Sequence, residues 1–392
     1  MNSSFQHIVV VGAGAVGSYF GAMLARASSA GHTGTSGDTG HTVTLIGRAA
    51  HVAAINQRGL HLHKGGQVEV VRVAASTTFD ALARADLVLF CVKSSDTESV
   101  ARQIAPLLRA DVLLLSLQNG VDNAATIAQH VNGAGQTVLP AVVYVATAMP
   151  EPGAVAHYGR GDLVVGLLPL RSALPQQRAG LRAEGGGDGV GDMGGVGGMT
   201  DTAVAGGASP GAASSDLPRG AAQPSQLTDL ASKSPLQARL EALVALFASA
   251  NVPVRLSDDV MGDLWRKLLV NCAYNAISAV TQTPYGHMAA LAEIRQVMLA
   301  VVREVVAVAQ ADGMSLTLDH GIAAMDQIAA AMPGQFSSTA QDLARGKPSE
   351  IDHLNGFVMR RGAQLGIATP VNQTLHALVK LVEAKNLGQP AA

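Results

Sequence analysis

The chain has 392 residues and a formal net charge of −2, with 48% hydrophobic, 14% charged and 3% aromatic residues. That length admits two or three domains, and the apolar fraction supplies cores built from Ala, Val and Leu. There is no sustained basic run to mark a nucleic-acid surface, and no uninterrupted apolar stretch approaches the roughly 20 residues of a membrane span.

The first apolar stretch, HIVVVGAGAVGSYFGAMLARA from residue 7, raises the question of export. The preceding MNSSFQ lacks the basic residues of a signal peptide, and the glycines have a better explanation below. Cys91 and Cys272 both lie in apolar surroundings and read as buried free thiols, which suits a reducing compartment. The expectation is a soluble, cytoplasmic protein.

Taken in chain order, the continuous apolar runs at 7–11, 42–47, 86–92, 111–117 and 137–145 read as strands covered on both faces, as in a parallel sheet. Helix candidates at 15–27, 95–108 and 121–131 fall between them. That alternation is the βαβ pattern of a doubly wound fold. Further strands are expected at its margin, at 161–169 and 252–257.

The run Gly12-Ala13-Gly14-Ala15-Val16-Gly17 directly follows the first strand and opens the first helix. Gly12 permits a tight turn, Gly14 lets a pyrophosphate approach the backbone, and Gly17 allows close helix–strand packing. The helix N-terminus adds amide donors and the positive end of its dipole. A dinucleotide site is the reading that strand, turn and helix agree on. The alternative is a small-residue packing turn.

The second strand decides which dinucleotide. A count of about twenty residues from the glycines lands on Asp38, which would suggest NAD. Asp38, however, lies in SSAGHTGTSGDTGH (28–41), an insertion between the helix and a strand that ends beside Arg48. A guanidinium there can pair with a 2′-phosphate, so NADP(H) is expected. A solvated arginine at a strand end is the competing reading. Lys93 and Asn119 follow the next two strands at the carboxyl edge where open α/β sheets bind ligands, though either could be an ordinary turn residue.

Residues from about 171 to 233 are rich in Gly, Ala and Ser and almost free of large apolar side chains. Such a segment cannot offset its ordering entropy by burial, and a disordered insertion is expected. Beyond 258 only helical patterns follow, at about 258–280, 288–312, 318–332, 335–346, 349–366 and 371–385. The expected architecture is an N-terminal Rossmann-type α/β domain (1–257) carrying both insertions, followed by an all-helical domain (258–392).

One helix stands out. In LWRKLLVNCAYNAISAV (264–280) Lys267, Asn271 and Asn275 recur every four residues on an otherwise apolar helix. They drift by about 40° per step and share one face over roughly 12 Å. Either that face meets water, or it lines a cleft. In a cleft, a partly desolvated lysine could protonate the alkoxide that forms when hydride reaches a ketone, and carboxamides could hold hydroxyl or carboxylate groups.

Here the sequence resembles the ketopantoate reductase (2-dehydropantoate 2-reductase) family. The matching pieces are VVGAGAVGSYFGAMLARA, LIGR, CVKSSDT, LQNGVDN, EPGAVAHYGRGDLVVG, the K-x3-N-x3-N helix and SSTAQDLARGKPSEIDHLNGFVMRRGAQLGIATPVNQTL. Only the two insertions fall outside the likeness. The resemblance implies that Lys267 is the proton donor to the substrate C2 oxygen, and that Asn271, Asn275 and Ser338 hold the substrate. Glu350 would either assist catalysis or hydrogen-bond the cofactor. Arg48 would bind the 2′-phosphate, Lys93 would lie near the adenosine end, and Asn119 near the nicotinamide ribose. EPGAVAH would be the loop and strand closing the cofactor side.

The implied reaction is NADPH-dependent reduction of 2-dehydropantoate to (R)-pantoate, on the route to pantothenate and coenzyme A. The partners would be a small-molecule substrate, with neither nucleic acid nor membrane, in a monomer or homodimer. A reductase of another small 2-oxo acid and a non-catalytic NADP(H) sensor are the alternatives. Retention of the lysine, both asparagines, Ser338 and Glu350 argues against the sensor. Cys272 points about 100° away from Asn271, toward core packing. Asp352 and Arg360 are expected as helix-surface charges. An ExxH step at Glu350 and His353 without partner ligands does not suggest a metal.

Overall fold

In the computed structural model of the chain, residues 5–30, 40–131, 136–169, 234–386 and 388 are described. Most of the first insertion and the whole of the 171–233 segment lie outside them.

The aliphatic runs become strands and the amphipathic ones helices, in the order β1 (His7–Val11), α1 (Ala15–Ala30), β2 (Thr42–Ile46), α2 (Ala49–Arg58), β3 (Leu60–Lys64), β4 (Gln67–Val71) and β5 (Ala74–Ser76). Then follow β6 (Leu87–Phe90), α3 (Thr97–Ile104), β7 (Leu113–Ser116), α4 (Asn123–Val131), β8 (Thr137–Ala148), β9 (Ala154–Val165), α5 (Pro235–Ser249) and β10 (Val254–Leu256). All join one ten-stranded sheet in the order β4-β3-β9-β8-β7-β6-β1-β2-β5, with β10 beside β9. Pairing is parallel from β8 through β5, and antiparallel where β8 meets β9 and β3 meets β4.

Three departures from the sequence expectation have physical causes. The strand expected at 161–169 starts at Ala154 and lies inside the sheet, between β3 and β8. Its first half, AVAHYGRG, is polar and glycine-rich, which hid a strand whose partners are on both sides. The hairpin of β3 and β4 reads LHLHK-GG-QVEVV; its outer strand is largely exposed, so no continuous apolar run announces it. Helices α2 and α5 were also not anticipated, being short on large apolar residues or adjoining the Gly/Ala/Ser-rich segment.

One sheet face packs on α1 and α5, through Phe20, Met23, Leu24 and Phe247. The other packs on α3 and α4, through Ala101, Ile104 and Ile127. The glycine turn is as tight as its sequence requires. Gly12 has φ +101°, and a Cβ there would meet Val92 N at 2.6 Å; one at Gly17 would meet the Gly12 carbonyl oxygen at 2.2 Å.

The remaining helices are α6 (Val260–Thr281), α7 (Tyr285–Ala290), α8 (Ala292–Ala311), α9 (Leu318–Ala331), α10 (Ser338–Ala344), α11 (Asn355–Leu365) and α12 (Pro370–Asn386). They agree with the helical periodicity after 258, and no strand follows β10 among the described residues. Helix α6 is capped by Asp259, whose carboxylate accepts from Gly262 N at 2.9 Å. It is buried on nearly every side, with Trp265, Leu268, Leu269 and Tyr274 in a core shared with α8 and α9. No described helix is long and apolar enough to cross a membrane.

Both thiols are free: Cys272 is buried in the helical core, whereas Cys91 is half-buried. Burial pushes both thiols up from their usual range. Asp352 is more than a surface charge. It sits in a 3₁₀ turn (Ile351–His353) and accepts from His376 Nε2 at 2.7 Å and Lys380 Nζ at 2.9 Å, which holds its carboxyl well below the usual carboxylate range.

A buried histidine ties α1 to the β8–β9 turn. His51 Nδ1 accepts from Gly153 N at 2.9 Å, so Nε2 carries the proton and donates to Ser18 Oγ at 3.0 Å. Burial lowers its pKa from 6.5. The folded state therefore favours the neutral ring, and its contribution is present above about pH 6.5 and is lost as the pH falls below that value. Urea unfolding should show stability declining as the pH falls below about 6.5. A His51→Gln variant should lose part of that decline, and an unaltered decline would contradict this role for the ring.

Candidate active site

The carboxyl edge of the parallel strands carries the glycine turn after β1, Arg48 after β2, Lys93 after β6 and Asn119 after β7. Strand β8 continues past this edge: its pairing with β7 ends at Pro140, and the strand runs on to Ala148. The extension carries Val143 and Tyr144 above the edge, where α6 packs on it.

Lys267 projects from α6 into this corner. Its Nζ donates to Asn119 Oδ1 at 2.9 Å and to the Val143 carbonyl at 2.5 Å. The other face of the Asn119 carboxamide donates from Nδ2 to Glu350 Oε2 at 3.2 Å. Glu350 Oε1 accepts from Ser94 N at 3.1 Å and from Ser94 Oγ at 3.2 Å. A continuous chain thus runs Ser94–Glu350–Asn119–Lys267–Val143, drawing on two strand-end loops, the turn before α11, α6 and β8. Burial lowers the Lys267 pKa from 10.5 to about 8, against the opposing pull of the Glu350 carboxylate.

The two asparagines line the same helix face. Asn271 is half-buried and Asn275 is 3% exposed, so the face deepens away from Lys267. Among the described residues neither side chain has a hydrogen-bond partner, which leaves two carboxamides available for a polar ligand. Ser338 lies exposed at the first position of α10, while the capping hydroxyl belongs to its neighbour. Ser337 Oγ accepts from Ala340 N at 3.0 Å and donates to the Asn275 carbonyl at 3.2 Å, fixing α10 against α6.

Lys93 pairs with Asp342 of α10 at 2.9 Å. Burial works against its charge, but Glu350 and Asp342 outweigh it and raise its pKa. Arg48 occupies the N-cap position of α2, exposed, and among the described residues its side chain makes no ion pair or hydrogen bond. Its guanidinium is available for an anion.

The glycine turn fits a dinucleotide pyrophosphate. A Cβ at Gly14 would meet nothing within 4 Å, so the backbone is open to close approach there, whereas Gly12 and Gly17 are closed by their own protein contacts. The first turn of α1 holds no acidic residue to oppose an anion. Gly12 to Gly17 and Arg48 are therefore the residues of this chain suited to hold NADP(H).

The structure links Lys267 to Asn119 and Asn119 to Glu350, and places Asn271 and Asn275 on the same face of α6 as the lysine. Ser94, Asp342 and the Val143 carbonyl were not singled out from the sequence. Asp342 stands in the quoted SSTAQD motif, so its signal was present, but a backbone acceptor such as Val143 has no residue-type signature.

A Rossmann-type nucleotide fold joined to a helical half with a half-buried lysine at the junction defines a dinucleotide-dependent oxidoreductase. Comparison with known proteins gives the family. The model described as ketopantoate reductase PanE/ApbA matches residues 8–169, and that described as ketopantoate reductase PanE/ApbA C terminal matches 259–383. The chain belongs to the ketopantoate reductase family. The 2-dehydropantoate 2-reductase of Halobacterium salinarum is 28% identical over 378 residues, covering 96% of this chain and 98% of that one. The crystal structure of a PanE/ApbA family ketopantoate reductase from Ralstonia eutropha JMP134 is 42% identical, with a TM-score of 0.71 and coverage of 97% and 99%. D-mandelate dehydrogenase in complex with NADH and anilino(oxo)acetate shares the fold at 20% identity, with a TM-score of 0.72 and coverage of 97% and 98%.

Proposed function

We propose that the protein reduces 2-dehydropantoate to (R)-pantoate with NADPH. The observation that carries the reading is the Lys267 amine, desolvated to a pKa of about 8 and held between Asn119 and the Val143 carbonyl at the sheet's carboxyl edge. Family membership supplies the substrate: relatives matching almost end to end bear the name 2-dehydropantoate 2-reductase. On this reading residues 1–257 form the cofactor domain and 258–392 the substrate domain of a cytoplasmic enzyme.

NADPH, when bound, supplies the hydride that reaches the C2 carbonyl carbon. The chain's residues do the rest. Gly12, Ala13, Gly14, Ala15, Val16 and Gly17 would hold the pyrophosphate, Arg48 would pair with the 2′-phosphate, and Lys93 would serve the adenosine end. Asn119 would orient the ribose side, and it keeps the Lys267 amine in place. Lys267 donates a proton to the C2 oxygen as negative charge develops there, and an amine with a pKa near the working pH gives that proton up readily. Asn271 and Asn275 hold the hydroxyl and carboxylate of the substrate, joined by the exposed Ser338 hydroxyl. Glu350 holds Asn119 and Ser94 in register and raises the charged fraction of Lys267.

The direct test is NADPH oxidation by purified protein with ketopantoate, 2-oxoisovalerate or pyruvate. A clear preference for ketopantoate is expected, and a preference for another acid would replace the proposed substrate. Lys267→Ala should lower turnover by about 10²–10⁴-fold while NADPH binding, followed by fluorescence, stays near that of the unaltered protein. Normal turnover would sink the proton-donor role.

Arg48→Ala should weaken NADPH by about tenfold or more and leave NADH nearly unaffected, because one charge-assisted contact to phosphate is lost from only one of the two. Equal losses, read from dissociation constants for both nucleotides, would remove Arg48 from the 2′-phosphate site.

A further inference from the structure

A second cation approaches the same aromatic ring as the Lys267 amine. Arg160 lies on β9 between Gly159 and Gly161, with φ +55°, a left-handed conformation that side chains other than glycine rarely adopt. Glycine would fit this backbone without strain, yet the chain places a guanidinium there. Its Nε and Nη2 donate to Asp162 at 3.0 and 2.7 Å, and its carbonyl accepts from His157 Nε2. The guanidinium carbon sits 4.0 Å above the centre of the Tyr144 ring.

The same Tyr144 ring lies 5.8 Å from Lys267 Nζ. The β8–β9 register breaks between Tyr144 and Val145 and again between Ala146 and Thr147, next to the carbonyl that receives the lysine. Irregular pairing of this kind re-aims side chains, and it collects near working sites. Strain, ring stacking and the ion pair thus converge on one placement, a half-exposed guanidinium held on the ring that the amine also approaches.

We propose that Arg160, stacked on Tyr144 and locked to Asp162, is a positioning residue that keeps the Lys267 amine poised to release its proton. The proposal rests on Lys267 being the proton donor. The groups facing that amine come from every element packed around it. Glu350, from the turn before α11, favours the charged amine; Arg160 of β9 disfavours it; Asp162 of the same strand favours it but is paired with Arg160. Tyr144 of β8 is kept neutral by burial, Asn119 is uncharged, and Asp263 and Arg266 flank the site on α6 itself as a paired couple. Without Arg160, the Asp162 carboxylate acts on the amine unpaired, in addition to Glu350, which Lys93 also faces.

The test is the pH dependence of kcat/KM for ketopantoate and NADPH in the unaltered protein, Arg160→Gly and Arg160→Lys. Glycine suits the backbone, so Arg160→Gly should fold; Arg160→Lys retains the charge. The basic limb, where the donor loses its proton, should move upward by about half a unit or more in Arg160→Gly and return toward its original position in Arg160→Lys. An unmoved limb in Arg160→Gly overturns the proposal, including the case where KM for ketopantoate rises alone and marks Arg160 as a substrate ligand. Equal shifts in both variants overturn it too, because charge would not be the cause. Lys267→Ala separates the two levels. If it abolishes turnover while the Arg160→Gly limb stays put, only the Arg160 role fails; if it retains turnover, the proton-donor reading fails and takes this one with it.

Discussion

The burial of one ammonium group is the constraint around which the rest of the site is arranged. A lysine removed from water and left unpartnered is costly, and the chain answers with a carboxamide and a main-chain carbonyl rather than with a direct carboxylate partner. A contacting carboxylate would stabilise the charge and raise the pKa. Neutral acceptors satisfy the donors while burial holds the pKa down to about 8. Glu350 stands one residue further out, across Asn119, where it orients the carboxamide and only partly counters the desolvation.

Several features of the fold follow from holding that amine where it is. Strand β8 must outrun its parallel neighbour to offer the Val143 carbonyl above the sheet edge, and β9 must run alongside to support it. Helix α6 must be the central helix of its half, because an exposed helix could not desolvate its polar face. Ser337 then anchors α10 to α6 through the Asn275 carbonyl, and Lys93 reaches across from the strand-end loop to Asp342 of the same helix. The two halves meet through such polar contacts, whose members are far apart in sequence, and through Val121, Val142 and Val164, which join the core around α6.

What could be read from the sequence reflects how locally each signal is encoded. The glycine turn was legible because three glycines at fixed spacing answer three separate steric demands, as the contacts at Gly12 and Gly17 bear out. The helices after 258 were legible because each buries a stripe at helical spacing, and α6 stood out because Lys267, Asn271 and Asn275 interrupt that stripe. Strand β9 was misplaced to the margin because its first half must accommodate Arg160, two glycines and a bulged neighbour, and so lacks the apolar run of a central strand. The β3–β4 hairpin was invisible for a related reason, since Val68 and Val70 on its outer strand remain exposed. In the site, Lys267 and the two asparagines announced themselves by spacing, whereas the partnership of Asn119 with both Lys267 and Glu350 depends on tertiary packing across 148 and 231 residues. The capping role of Ser337 beside Ser338 turned on a single residue, finer than helix periodicity resolves.

The central claim is that Lys267 is a desolvated amine whose ionisation has been brought toward neutral pH by its surroundings. Its titration can be followed directly by NMR in protein labelled at the lysine side chains, with the Lys267 signal assigned by its loss in Lys267→Arg. A midpoint near 8 is predicted, well apart from the exposed lysines. A midpoint at the ordinary value of 10.5 would contradict the account, because the amine would then be hydrated and the cleft open to water.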